Sequence, residues 1–206
     1  NHDLRELTYP IETESTVQPV LMDSSDGARI YRRSLTFVLE TAFAQLFPTG
    51  ILFVDHSIAS GGYFCQVVGR EALSDTEVTA LKTKMQALID ADMPFEKYEV
   101  TLDEALAYFR SRGDDDKLSL LKYRKKSTLT FYRLDGNSDY LHGYVVPSTG
   151  CLQWFDLVPT QGGFILQFPH QRQPNELLPM PQYPKLLSAF LQYGEWLNKL
   201  GIENVG

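Results

Sequence analysis

Between residues 28 and 47 apolar side chains recur at Tyr31, Leu35, Val38, Leu39, Ala42, Phe43 and Leu46. Steps of three and four residues put them on one face of an α-helix. Arg32, Thr36, Glu40 and Gln45 lie away from that face. Pro48-Thr49-Gly50 ends the helix. A helix with one apolar face has to cover it with a sheet or with other helices. The next segment supplies strands: residues 51–54 and 63–68 read as a hairpin, joined through the flexible turn Ser60-Gly61-Gly62.

The same reading continues along the chain. Ser74 with Glu77, and Thr101 with Glu104, are capping-box pairs that open two further helices. The first runs to about Asp90, with Val78, Leu81, Met85, Leu88 and Ile89 as its buried stripe. The second is short, carries Ala105, Leu106 and Phe109, and stops at Gly113. A charged strand at 96–100, expected at a sheet edge, lies between them. Residues 114–122 form a short helix with acids in its first turn and bases in its last, which suits the helix dipole. Strands are expected at 129–134, 140–146, 152–157 and 164–168. Two short strands are expected within 4–22, ahead of the turn-rich Asp23-Ser24-Ser25-Asp26-Gly27. Residues 169–184 hold five prolines and read as an extended connector. A last helix carries Leu186, Leu187, Phe190, Leu191, Tyr193, Trp196, Leu197 and Leu200. The fold class is α+β, a mixed or antiparallel sheet with packed helices.

Composition narrows the function. A net charge of −7 opposes non-specific nucleic-acid binding, which needs a basic surface. Two cysteines, Cys65 and Cys151, make neither a CxxC pair nor a disulfide framework, so free thiols in a reducing cytoplasm are expected. No apolar run approaches the length that spans a bilayer. No Gly-rich turn with Lys and Ser or Thr opens a helix, so no phosphate-cradling loop is present. His2, His56, His142 and His170 show no ligand spacing, and no metal site is expected. A Cys–His pair of Cys65 with His56 or His142 is weighed against Cys65 as a small core residue, and the core reading is preferred. The run Lys122-Tyr123-Arg124-Lys125-Lys126 is either an RNA contact or a helix C-terminus with matched cations. The helix terminus is favoured. Arg29, Arg32 and Arg33 form a second basic cluster.

Three segments together resemble the editing domain of threonyl-tRNA synthetases. They are Arg33-Ser34-Leu35-Thr36-Phe37 continuing to Leu46-Phe47-Pro48, then Met93-Pro94-Phe95-Glu96-Lys97-Tyr98 with Glu104-Ala105-Leu106, and then Asp139-Tyr140-Leu141-His142-Gly143-Tyr144-Val145-Val146-Pro147-Ser148-Thr149-Gly150. The resemblance covers residues 28–168 and implies an editing-domain-like α+β domain there. Residues 1–27 resemble part of the small β-rich TGS module that precedes editing domains. Residues 169–206 are then the connector and helix leading onward.

In that family two histidines of the helix, and a Cys and a His of the later motif, form the editing centre. The matching positions here are Arg33, Phe37, Leu141 and Val145. Phe, Leu and Val neither bind metal nor transfer protons. The resemblance therefore implies a degenerate editing site with no catalytic residues. Arg33, with Arg32, Tyr63 and Tyr144, is a candidate anion or ligand site. The alternative is an internal salt bridge from Arg33 to Asp139 and a collapsed cleft.

Tyr31-Arg32-Arg33-Ser34-Leu35, Ser60-Gly61-Gly62-Tyr63-Phe64-Cys65 and the ending Gly201-Ile202-Glu203-Asn204-Val205-Gly206 also resemble bacterial uridine kinases, nucleoside kinases with an editing-like N-terminal half. Under that resemblance the chain is a piece of a longer protein and a non-catalytic accessory region. It has no cofactor of its own. ATP and Mg belong to a C-terminal kinase domain, which would be its partner, and RNA is a further partner to consider. An aminoacyl-tRNA deacylase with a relocated centre is the alternative function.

Overall fold

In the computed structural model the described residues are 3–7, 9–58, 61–180, 192, 193, 196, 197 and 199–201. The chain folds into helix α1 (Ser25–Leu46), strands β1 (Ile51–Ile58) and β2 (Gly62–Val68), helix α2 (Asp75–Asp90), strand β3 (Glu96–Thr101), helices α3 (Leu102–Arg112) and α4 (Asp115–Leu121), and strands β4 (Thr128–Leu134), β5 (Asn137–Tyr140), β6 (Asp156–Thr160) and β7 (Gly163–Gln167). Among the described residues no helix is long and apolar enough to cross a membrane.

The strands form two antiparallel sheets, one ordered β1-β2-β7-β6 and one ordered β3-β4-β5. The charged strand β3 lies at an edge, as its composition predicts. In the larger sheet the edges are β1 and β6. Strand β1 carries a bulge between Val54 and His56, where the register to β2 shifts. Strand β6 carries Pro159, opposite Phe164. Gly163 has to be glycine: a Cβ there would stand 2.1 Å from the Cys65 carbonyl oxygen.

Strand β4 divides the interior. Its residues alternate between faces. Leu129 and Phe131 pack with Ala105, Phe109 and Leu121 of α3 and α4. Tyr132 and Leu134 turn toward the larger core, which joins α1, α2 and the inner face of the four-stranded sheet. Helix α1 is thus covered from two sides. It buries the expected stripe and also Ser34, Phe37 and Thr41. Leu46, expected in the stripe, is exposed at the helix end.

Local chemistry explains the helix ends. The Ser24 hydroxyl accepts the Gly27 amide at the start of α1. The two capping boxes form as the sequence predicts, Ser74 with Glu77 and Thr101 with Glu104. Gly113 closes α3 at φ 72°, in the left-handed region. No basic residue lies in the last turn of α4, contrary to expectation.

Three expectations need correction. Among the described residues 3–21 no strand forms. Leu7, Tyr9, Ile11 and Val17 are exposed there, and two short strands without a buried face are not stable as a pair. The segment is held instead through Glu6, which accepts the Tyr132 hydroxyl at 3.0 Å and pairs with Lys97 at 2.9 Å. The strand expected at 140–146 forms earlier, as β5. Asp135-Gly136, with φ 46° and 81°, makes a two-residue hairpin turn of the Asp-Gly kind that pairs Leu134 with Asn137. The strand expected at 152–157 likewise starts later, as β6, behind a 3-10 turn at Thr149–Cys151. Residues 181–191 lie outside the described residues, as do the predicted helix positions Leu186, Leu187, Phe190 and Leu191.

The segment Pro147-Ser148-Thr149-Gly150 is a structural staple. The buried Thr149 hydroxyl donates to the Leu88 carbonyl at 2.7 Å and accepts the Met93 amide at 2.8 Å. The Thr149 amide donates to the Met93 carbonyl at 2.9 Å, and the Gly150 amide to Asp92 at 3.1 Å. Thr149→Val keeps the shape but leaves the Met93 amide without its acceptor. We predict a loss of about 1–3 kcal/mol, read by urea denaturation, with the circular dichroism of the folded state unchanged.

Candidate functional site

Arg29, Arg33, Thr36 and Glu40 stand at positions i, i+4, i+7 and i+11 of α1, one line along the helix. This is the part of the helix surface that the core does not cover. The line forms one wall of a cleft of about 260 Å³, completed by Arg32, Phe37, Tyr63 and Leu141. The cleft has three zones. At the Arg29 end it is cationic, with Arg29, Arg32 and Arg33. Its middle is lined by Phe37, Tyr63 and Leu141. At the Glu40 end it is acidic.

Strand β2 presents Tyr63, whose ring meets Phe168 edge-on with centroids 4.9 Å apart. The segment after β5 presents Leu141. This segment is fastened to α1 at two points. Arg33 Nη1 donates to the Tyr144 carbonyl at 2.5 Å, and the Val146 amide donates to Ser34 Oγ at 2.9 Å. Gly143 lets the two come together: its φ is 109°, and a Cβ there would lie 3.1 Å from the Arg33 guanidinium.

The structure brings Arg33, Phe37 and Leu141 together on one cleft, while Val145 packs against the main core. Arg32 and Tyr63 also line the cleft. Tyr144 does not: its carbonyl holds Arg33, and its ring lies under Lys97 at 5.7 Å. The expected alternative, a bridge from Arg33 to Asp139 with the cleft collapsed, is corrected on both counts. Asp139 is buried and pairs with Lys117, and it also accepts the Tyr140 amide at 2.6 Å. Phe37 and Val145 fill space in the core, yet the cleft stays open beside them. Among the described residues neither Arg32 nor Arg33 pairs with a carboxylate. Arg32 uses Nε on the Ala28 carbonyl at 3.1 Å and lies over the Phe168 ring. Each guanidinium has five N–H donors and so retains donors for a ligand.

Glu40 is the residue the sequence reading missed. Its Oε2 is buried with no hydrogen-bond partner among the described residues. Burial, and next the nearby Asp139, push its carboxyl up to about 7; Lys117 and Arg112 oppose this, and Asp114 adds to it. Cys65 of β2 is also in its field. Its place away from the apolar stripe of α1 gives no sign of this burial. The signal available was its position seven residues after Arg33 and eleven after Arg29.

The remaining sequence candidates fall elsewhere. Burial pushes the Cys65 thiol up to about 12, so it holds no thiolate near neutrality. Among the described residues no group of three His, Cys, Asp or Glu side chains is placed to hold a metal ion. In the basic run, Tyr123 is 81% exposed, and Arg124 bonds the Tyr140 hydroxyl and the Thr128 carbonyl.

The chain is similar to threonine–tRNA ligases. It is 28% identical over 165 residues to the threonine–tRNA ligase of Lawsonia intracellularis, 80% of this chain and 26% of that protein. It is 30% identical over 162 residues to the enzyme of Laribacter hongkongensis, covering 78% and 25%. It is 30% identical over 165 residues to that of Listeria welshimeri, covering 80% and 26%. The chain thus spans about a quarter of the length of the curated relatives it matches. No family model matches it. The similarity supports the editing-domain-like reading of the fold.

Glu40 makes stability depend on pH. Its folded value, about 7, lies above the ordinary carboxylate range. Between those values the folded state keeps a proton that the unfolded state has released. The resulting stabilisation is full below the ordinary range and is lost as pH rises through 7. Glu40→Gln is expected to flatten this dependence and to stabilise the chain at pH 8 by on the order of 2–3 kcal/mol. Denaturation midpoints at pH 5, 6.5 and 8 measure it.

Proposed function

We propose that the chain is a binding module related to threonine–tRNA ligases, whose cleft takes an anionic ligand at Arg29, Arg32 and Arg33 and which lacks the editing chemistry of the family it resembles. One observation carries this reading: three arginines stand over an open cleft that the replaced positions Arg33, Phe37 and Leu141 also line. A guanidinium is a permanent charge with a planar fork of donors that matches phosphate or carboxylate. Burial lowers the pKa of Arg33, but Arg keeps its charge throughout the neutral range.

A second reading is favoured by Glu40. A carboxyl held near 7 in a cleft has the proton affinity of a general base. A deacylase with a relocated centre would use Glu40 to take a proton from water attacking an aminoacyl ester. Cationic groups at the Arg29 end would then hold the phosphates of a tRNA end.

The identity of the longer protein is a finer proposal. The segments that resemble uridine kinases support an accessory role ahead of an ATP- and Mg-dependent kinase domain, with that domain as partner. The threonine–tRNA ligases it is similar to support only a synthetase-related origin.

Two measurements test these readings. Titration with inorganic phosphate is expected to show binding that the double variant Arg29→Ala/Arg32→Ala weakens at least tenfold. Absence of phosphate binding in the wild type sinks the anion site. Incubation with seryl-tRNA charged on a threonine tRNA is expected to give no hydrolysis above the spontaneous rate, and metal analysis no zinc. Hydrolysis that disappears in Glu40→Gln would establish the second reading instead.

A further inference from the structure

Glu40 Oε2, buried with no hydrogen-bond partner among the described residues, marks the ligand's other end. A buried acceptor without a partner costs free energy, and a ligand that donates an N–H to it removes that cost. The anion site sits on the same helix line. Arg33 and Glu40 are seven residues apart, which at 1.5 Å per residue is about 10 Å. An α-amino acid, with its amine and carboxylate on adjacent atoms, cannot span that distance. Between the two ends the walls are Phe37, Leu141 and the ring of Tyr63, which suits a flat ring system.

From this order of zones we infer that the cleft binds a nucleoside monophosphate whose base carries an amino group. The phosphate sits among Arg29, Arg32 and Arg33, the base lies against Tyr63 and Leu141, and the amino group donates to Glu40. The inference rests on the anion site proposed above. Glu accepting from an exocyclic amine is an established mode of base discrimination. A volume of about 260 Å³ holds one small nucleotide, so the pyrimidine with an amino group is the best fit. Uracil presents a carbonyl oxygen where cytosine presents its amine, and an ionised Glu40 repels it.

Calorimetric titration of the chain with CMP, UMP and inorganic phosphate at pH 8, where Glu40 is largely ionised, tests the inference. CMP is expected to bind at least tenfold more tightly than UMP or phosphate. Glu40→Gln is expected to remove most of the CMP preference and leave phosphate affinity within about twofold. Tyr63→Leu is expected to weaken CMP and spare phosphate. Thermal melts of both variants verify folding. Phosphate binding without preference for CMP over UMP overturns this inference and leaves the anion site standing. Binding of none of the three overturns both. A CMP preference that survives Glu40→Gln removes Glu40 from the role assigned to it.

Discussion

Covering α1 from two sides constrains the rest of the molecule. The four-stranded sheet and strand β4 both press apolar side chains on it, so Ser34, Phe37 and Thr41 are buried together with the expected stripe. A helix enclosed over so much of its circumference keeps one strip for polar side chains. Arg29, Arg33, Thr36 and Glu40 occupy that strip. The polar hydroxyls that fall inside are satisfied locally: Thr41 donates to the Phe37 carbonyl at 2.8 Å, and Ser34 to that of Ile30 at 2.7 Å. The cleft is thus a by-product of how α1 is buried, and its chemistry is whatever the strip carries.

The segments that resemble an editing domain divide into a part that holds the fold and a part that lines the cleft. Pro147 to Gly150 and Met93 belong to the first. They bond each other and the end of α2. Arg33, Phe37 and Leu141 belong to the second, whereas Val145 packs against the core. Arg33 has also acquired a structural duty, since its guanidinium holds the Tyr144 carbonyl and fits against Gly143.

Much of the fold was legible because the signals were local. Capping boxes at Ser74 and Thr101, the glycine stop at Gly113 and the 3.6-residue period of α1 and α2 need no tertiary context. What failed was non-local or overlooked. The strands expected within 4–22 depend on partners that the pattern of Leu4, Tyr9 and Ile11 cannot supply. The Asp135-Gly136 turn was a local signal, and reading it would have placed β5 correctly. Glu40 was missed for a different reason. A two-sided core leaves polar residues on the buried margin of a helix, whereas a stripe argument assumes that whatever is off the apolar face meets water.

The two edges of the four-stranded sheet differ in how they end. The bulge between Val54 and His56 shifts the register along β1, and Pro159 removes an amide from β6. An open edge is a template on which another chain can add a strand. Exposed Ile51 and Phe53 would make β1 an adhesive one. The bulge limits any continuous ladder on that side to a few residues, and a proline on the other leaves a gap in the row of donors. Copies of this sheet are therefore ill-suited to stack edge to edge, which guards the chain against fibrous self-association.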